Sequence, residues 1–153
     1  MEGICKRLNS NCVLVQTVGS DTVSIVTHLV QALQSCHPID NAERLIDDIM
    51  SREQLASTCL GWGCAVPHAH SIGLEKSYLA AASLSEPLHV DTPDGEPVSL
   101  VFILVGPPKN ASTHLKLLSK LARLLHDDEL RNELRRATSS EEFVQAICKK
   151  ENQ

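Results

Sequence analysis

Length, composition and charge exclude several classes of protein. The 153 residues suit a single domain over positions 1–153, which would bury about 70% of the surface of its unfolded chain. A net charge of −5, with both signs interspersed, provides no basic field for nucleic acid or for an anionic membrane. The N-terminal residues lack the apolar core of a signal peptide, and no run reaches the roughly 18 apolar residues of a membrane span, so we expect a cytoplasmic protein.

The first third of the chain predicts a short strand and two helices. Residues 12–15 are a short apolar run typical of a strand. Apolar positions at helical spacing predict a helix over 21–34, with Ser20 as its cap. A second helix, capped by Asp40, has its apolar stripe over 42–50.

The middle of the chain predicts strands. Residues 65–66 end a buried strand, and we expect the chain to leave the sheet at Pro67, which cannot donate to a ladder. Compact apolar runs predict strands over 78–84 and 88–90. The nearly continuous apolar run over 98–105 is consistent with a central strand that is covered on both faces.

A turn at 93–95 precedes that central strand, and helices fill the C-terminal third. We expect helices over 112–126, 128–137 and 140–149, the last of them behind a capping box that begins at Ser139. Strands interleaved with helices and followed by a helical third predict an α/β fold with helices on both faces of the sheet.

The cysteine pattern favours free thiols over a disulfide framework. Six cysteines are scattered without a Cys-x-x-Cys pair, in a chain with no export signal. A zinc site built from Cys59, Cys64, His68 and His70 is an alternative. It is the less expected one, because the spacing matches no common zinc module and Cys64 lies within an apolar run.

His68 is the first candidate functional residue. It follows Pro67 directly, and therefore lies where the predicted strand reaches the rim of the sheet. The unperturbed pKa of imidazole, about 6.5, leaves a large neutral fraction at cytoplasmic pH, which a nucleophile, a base or a metal ligand requires. A lone Pro-His pair is nevertheless more often structural or exposed.

Further motifs accompany His68 in a fixed order. Arg52 stands sixteen residues upstream and is followed by Glu53, Thr58 lies between, and His114 opens a later apolar run. This order and spacing resembles the enzyme IIA domain of the fructose/mannitol class of the bacterial phosphoenolpyruvate-dependent sugar phosphotransferase system, above all its nitrogen-regulatory branch. The resemblance is strongest over 44–147 and implies a three-layer α/β/α sandwich with a mixed central sheet.

The resemblance also implies a chemistry for these residues. His68 would accept a phosphoryl group, and Arg52 and His114 would line the phosphate site, with Thr58 as a further candidate for bonding the phosphate or its ligands. A guanidinium offers five donors that match phosphate oxygens, and an imidazole adds one donor without a permanent charge. Each has a simpler alternative: Arg52 as a helix-end charge, His114 as a surface histidine and Thr58 as a strand former.

The resemblance implies the partners as well. The phosphoryl donor would be a histidine phosphocarrier protein, and the recipient either a regulatory target protein or a membrane-associated IIB component; no cofactor and no metal are expected. A phosphorylation-dependent regulator is the first hypothesis, and a sugar-transport IIA subunit is the alternative. A docking protein without phosphoryl chemistry, and a hydrolase that uses Cys64 or Cys59 with His68 as base, are the remaining classes.

Some residues depart from the family pattern or fall outside it. Cys59, Trp62 and Cys64 are unusual for their positions, and Trp62 is either a docking anchor or a residue packed against the core. We expect His70 to be exposed. The remaining histidines are interpreted as structural or surface residues (His28, His37, His89, His126), and the leucines of the predicted helix over 112–126 as core (Leu115, Leu118, Leu121, Leu124, Leu125).

Overall fold

The computed structural model describes residues 3–153. Residues 1–2, which belong to the predicted domain and to the segment expected to lack a signal peptide, lie outside the described residues. The strands are β1 (Val13–Thr17), β2 (Cys59–Gly61), β3 (Cys64–Ala65), β4 (His68–His70), β5 (Tyr78–Leu88) and β6 (Val98–Gly106). The helices are α1 (Ile4–Arg7), α2 (Thr22–Cys36), α3 (Ala42–Leu55), α4 (Ala111–Leu125), α5 (Asp128–Arg136) and α6 (Ser140–Glu151).

The six strands form one mixed sheet. The hydrogen-bonded order is β1-β5-β6-β3-β2, and β4 pairs with β6 beyond the end of β3. Strand β6 runs antiparallel to β5 and parallel to β3 and β4. The predicted strands over 12–15 and 98–105 are confirmed as β1 and β6, whereas those over 78–84 and 88–90 merge into the single irregular strand β5.

A hydrophobic layer covers each face of this sheet. Helices α2 and α3 pack on one face through residues such as Ile25, Leu29 and Ile49. Helices α1, α4, α5 and α6 pack on the other, where Leu121 and Phe143 are fully buried. Because β6 is covered on both sides, its side chains are apolar on both faces, apart from the partly exposed Ser99 near its beginning. The predicted α/β/α sandwich with a mixed sheet is confirmed.

Side-chain caps set the beginnings of the helices, and two of the predicted caps are wrong. Asp21, rather than Ser20, caps α2 by accepting from the backbone N–H of Ser24. Asn41, rather than Asp40, caps α3. In both cases the chain enters the helix one residue later than predicted, which moves the capping position to the next residue able to accept. The predicted cap at Ser139 of α6 is confirmed.

The chain does not leave the sheet at Pro67, and that prediction is wrong. Proline lacks only the N–H; the Pro67 carbonyl accepts from the backbone N–H of Leu104 at 3.1 Å. The backbone therefore stays beside β6, and β4 resumes parallel pairing with His68 opposite Leu104. Strand β4 pairs only with β6, so His68 lies at the edge of the sheet.

The two ends of the described chain meet. Cys5 of α1 and Cys148 of α6 form a disulfide with their Cα atoms 4.9 Å apart, and the side chain of Glu151 accepts from the backbone N–H groups of Ile4 and Cys5. The prediction that all six cysteines are free is therefore wrong for this pair, because spacing along the sequence does not report that α1 packs on α6. The other four are free thiols (Cys12, Cys36, Cys59, Cys64).

Within residues 3–153, none of the helices has the length and the apolar character that crossing a bilayer requires.

Candidate functional site

His68 is held at the start of β4 by a backbone hydrogen bond. Its Nδ1 lies 2.8 Å from the carbonyl oxygen of Val66. A carbonyl only accepts, so Nδ1 carries the proton of the neutral ring and Nε2 keeps its lone pair. The strand geometry therefore fixes one tautomer and leaves the outer ring nitrogen available as a nucleophile.

The surroundings of His68 favour its neutral form. Burial lowers the pKa of this half-buried imidazole, and the nearby Arg52 guanidinium and His70 lower it further, while the bond to the Val66 carbonyl and the Glu53 carboxylate oppose them. Because the net shift is downward from about 6.5, His68 is mostly unprotonated at neutral pH, as a nucleophile requires.

His114 faces His68 from the first turns of α4. The two ring centroids are 5.7 Å apart. The His114 side chain is buried, and neither of its ring nitrogens has a hydrogen-bond partner among the described residues. Burial, together with His70 and His68, lowers the pKa of His114 to about 4, so the ring is neutral. The alternative of a surface histidine is wrong, because α4 packs its first turns against the sheet.

His70 completes a group of three imidazoles. It lies two residues after His68 on the same face of β4, with its ring centroid 4.4 Å from that of His114. The predicted exposure of His70 is confirmed. Its position against His114 was not predicted, because it depends on how α4 crosses the end of β6.

Arg52 comes from the last turn of α3. Its Nη1 donates to the Ala56 carbonyl at 3.1 Å, which is the helix-end contact of the simpler alternative. The same guanidinium is close enough to His68 to lower the pKa of that imidazole. Arg52 therefore combines a structural contact with a charge beside the candidate nucleophile.

Thr58 is buried and already bonded. Its hydroxyl donates to the Glu53 carboxylate, with Oγ1 2.7 Å from Oε2, and its backbone N–H donates to Oε1 at 3.1 Å. The single hydroxyl proton is thus committed to Glu53 rather than to an incoming phosphate. The sequence, in which Glu53 simply follows Arg52, indicates no role for this carboxylate. The structure shows that Glu53 holds the segment leading into β2.

Trp62 lies away from this group. It occupies the turn between β2 and β3 with a φ of +54°. Its ring centroid is 4.7 Å from that of His126, in an edge-to-face arrangement, and 5.0 Å from the guanidinium carbon of Arg131. The carbonyl of the neighbouring Gly63 accepts from the backbone N–H of Ser99 in β6. Ser99 lies five residues before Leu104, which pairs with His68, so the two positions are about 17 Å apart along the strand. Trp62 therefore packs against α4 and α5 and remains 41% exposed, remote from His68.

The cysteines do not form an alternative site with His68. Burial raises the pKa of Cys64 to about 11, which suppresses the thiolate that a hydrolase or a metal site would need. In the described part of the chain, no three His, Cys, Asp or Glu side chains are grouped as metal ligands.

Comparison with known proteins identifies the family of this chain. The family model described as phosphoenolpyruvate-dependent sugar phosphotransferase system, EIIA 2, matches residues 6–150. The chain belongs to this EIIA family. Its match to the family extends well beyond the stretch of strongest resemblance in the sequence, 44–147.

Relatives of this EIIA chain carry two kinds of description. A 2-O-alpha-mannosyl-D-glycerate-specific EIIABC component from Escherichia coli K12 is 39% identical over 121 residues, which cover 78% of this chain but only 18% of that protein. A nitrogen regulatory protein from Bradyrhizobium diazoefficiens is 36% identical over 108 residues, 71% of each chain. The crystal structure of nitrogen regulatory protein IIA-Ntr from Neisseria meningitidis has a TM-score of 0.85 and 29% identity, covering 94% of this chain and 98% of that one.

Proposed function

We propose that this EIIA chain is a phosphocarrier that accepts a phosphoryl group on Nε2 of His68. The observation that carries the proposal is the buried, unpartnered imidazole of His114 opposite the nucleophile. A buried N–H without a partner costs about 1–3 kcal/mol, and a phosphoryl oxygen on His68 would give it one. His114 is thus suited to bind a phosphoryl group, which is present only after His68 has been phosphorylated.

The transfer step follows from the tautomer of His68. The Nε2 lone pair attacks the phosphorus of a phosphohistidine on the donor, a new N–P bond forms, and the old N–P bond breaks in line with it. The electron pair of the broken bond returns to the donor's ring nitrogen, and the donor ring, protonated on its other nitrogen, leaves as a neutral imidazole. The proton of His68 stays on Nδ1, hydrogen-bonded to the Val66 carbonyl, so the phosphorylated ring carries the formal positive charge that the donor ring gives up.

Arg52 and His114 have complementary roles in this proposal. The guanidinium supplies a permanent positive charge beside His68, which a phosphoryl group of nearly two negative charges requires. His114 supplies an uncharged donor in a dry position, where a hydrogen bond is strongest. Thr58 contributes to the site through Glu53, because its proton is already donated there.

The partner proposed as donor is a histidine phosphocarrier protein. Three exposed apolar side chains lie within three residues of the candidate site: Leu55 (83% exposed), Ile72 (68%) and Leu115 (66%). Such side chains provide apolar contact area around a reacting group. Leu115 was predicted to be core, and that prediction is wrong, since the first turns of α4 turn this residue towards solvent.

Phosphorylation-dependent regulation is the finer part of the proposal. It is supported by the match to IIA-Ntr from Neisseria meningitidis and by the nitrogen regulatory relative. The 39% identity to an EIIABC component supports the alternative, transfer to a IIB component in sugar transport. In either role we propose that residues 1–153 act as one cytoplasmic enzyme IIA-like domain without cofactor or metal.

Intact mass measurement tests the phosphocarrier proposal. After incubation with phosphoenolpyruvate, enzyme I and a histidine phosphocarrier protein, the wild type should gain one acid-labile phosphate. His68→Ala should gain none and keep its circular dichroism spectrum, because an imidazole at the sheet edge contributes little packing. His89→Ala, an exposed histidine beyond the end of β5, is the matched control and should behave as wild type.

Unaltered mass of the wild type would favour the docking protein without phosphoryl chemistry. A phosphate that persists in His68→Ala would move the acceptor elsewhere. For the finer question, purified IIB components are added to the phosphorylated protein: loss of its label to a IIB component would favour transport over regulation.

A further inference from the structure

His70 lies next to the proposed phosphoryl acceptor, on the same face of β4. In β4, His68 pairs with Leu104 and His70 with Gly106, and the two side chains share one face of the strand. Their Cα atoms are therefore about 6.6 Å apart. The centroid of the His114 ring, in the first turn of α4, lies 5.7 Å from that of His68 and 4.4 Å from that of His70, so both side chains of β4 face the same imidazole.

We propose that His70 is a further phosphate-binding residue, which takes up a proton and donates it as a hydrogen bond to the phosphoryl group on His68. This inference rests on the proposed phosphorylation of His68. It gives the phosphoryl oxygens a charged hydrogen-bond donor in addition to the positive charge of Arg52, and this donor gains its proton when the phosphoryl group arrives.

Neither of the other two imidazoles offers a charged N–H to the phosphoryl oxygens as readily. His114 is buried, so a charge on its ring would be taken out of water. Nδ1 of His68 keeps its proton in the hydrogen bond to the Val66 carbonyl and Nε2 becomes the phosphorylated atom, so this ring has no N–H left for a phosphoryl oxygen. His70 is exposed, so its protonated form keeps contact with water and avoids the desolvation that penalises a buried charge.

The charges around β4 allow this protonation. Arg52 disfavours a further positive charge near His68, whereas Glu53 favours it. The next residue, Ser71, faces the opposite side of β4 and donates to the Asp48 carboxylate at 2.6 Å; Arg44 lies 3.9 Å from that carboxylate and partly offsets its charge. Lys109, an exposed positive charge, lies three residues beyond Gly106 on the segment that leads into α4.

Proton uptake makes phosphorylation depend on pH. A dianionic phosphoryl group within about 4–6 Å favours the charged imidazole over the neutral one. The phosphorylated protein then binds more protons than the free protein, and acid shifts the equilibrium towards it. If the phosphorylated and free states differ by about one pH unit in their affinity for this proton, the equilibrium constant at low pH is about tenfold larger than at high pH.

The experiment measures the equilibrium constant for transfer from the phosphorylated histidine phosphocarrier protein, between pH 6 and pH 8. Wild type is compared with His70→Gln, so that the pH dependence of the donor cancels in the ratio. We expect the ratio of wild type to His70→Gln to rise about three- to tenfold from pH 8 to pH 6. His70→Lys should keep a high constant without that rise.

Two controls test whether the effect belongs to His70. His89→Gln removes an exposed histidine at the opposite end of the sheet, about 26 Å away along β6, and should match wild type at every pH. Lys109→Gln should lower the constant equally at all pH values or leave it unchanged.

Each contrary result has a distinct meaning. A wild type to His70→Gln ratio that stays within twofold over the pH range, while His68 is phosphorylated normally, overturns the role of His70 alone. A phosphate mapped to His70 makes it an acceptor and overturns the inference as well. No phosphorylation of the wild type overturns both this inference and the proposed function.

Discussion

Replacing His114 by leucine should make the protein less sensitive to acid. The folded protein lowers the pKa of this buried imidazole to about 4, mainly by burial, whereas an unfolded histidine titrates at about 6.5. Between these values the unfolded chain binds more protons than the folded one. Stability is therefore complete above pH 6.5 and falls as the pH drops towards 4, by about 3 kcal/mol in total for this group.

His114→Leu removes that dependence with little loss of packing. Leucine has a volume similar to that of histidine, and it eliminates two ring nitrogens that have no partner among the described residues. Because an unpartnered buried polar group costs about 1–3 kcal/mol, we expect the variant to be as stable as wild type or more stable at pH 7. Its rate of phosphoryl acceptance should fall by about 10²–10³-fold, as for the loss of one preorganised donor.

Urea unfolding followed by circular dichroism measures the effect at several pH values from 7.5 to 4, with the disulfide intact in both proteins. The free energy of unfolding of wild type should fall by about 3 kcal/mol more than that of His114→Leu over this range. His68 contributes acid sensitivity to both proteins and largely cancels in the difference. His89→Leu should follow wild type. Parallel curves for wild type and His114→Leu would refute the reasoning.

Two further predictions concern Arg52 and the disulfide. Arg52→Ala should still accept phosphate but about 10²-fold more slowly, since it removes charge stabilisation and not the bond-forming atom. Arg44→Ala, on the exposed side of the same helix, is the control and should match wild type. If Arg52→Ala accepts phosphate as fast as wild type, Arg52 has no role in the transfer. Replacing Cys5 and Cys148 together by serine should lower the free energy of unfolding by about 4–5 kcal/mol without changing phosphoryl acceptance, because the bond closes a very long loop between α1 and α6. Thiol titration of denatured wild type should then give four thiols before reduction and six after it; six before reduction would contradict the disulfide.

Local patterns in the sequence predicted most of the architecture. The apolar run that became β6 is long and bounded by prolines, and the three C-terminal helices have strong helical periods, so their types and approximate ranges were confirmed. The wrong cap predictions were each displaced by a single residue. Ser20 and Asp21 are both able to cap a helix, and only the backbone geometry selects between them.

Contacts between distant residues were predictable only through the family pattern. His68 and His114 are 46 residues apart, and they meet because β4 is parallel to β6 and α4 follows β6 directly. No period in the sequence encodes the 4.4 Å contact of His70 with His114 or the approach of Cys5 to Cys148. Both depend on how helices cross the ends of strands, which is a property of the assembled fold.

The bond between Cys5 and Cys148 has a consequence for how the molecule responds to cleavage. It converts residues 5–148 into a covalent ring that contains all six strands and the three imidazoles. The exposed turn at 93–95, where Gly95 has a φ of +78°, is the kind of site that proteases cut first. A single cut there would leave both fragments joined as one molecule, which would migrate as a full-length chain until a reductant separated them.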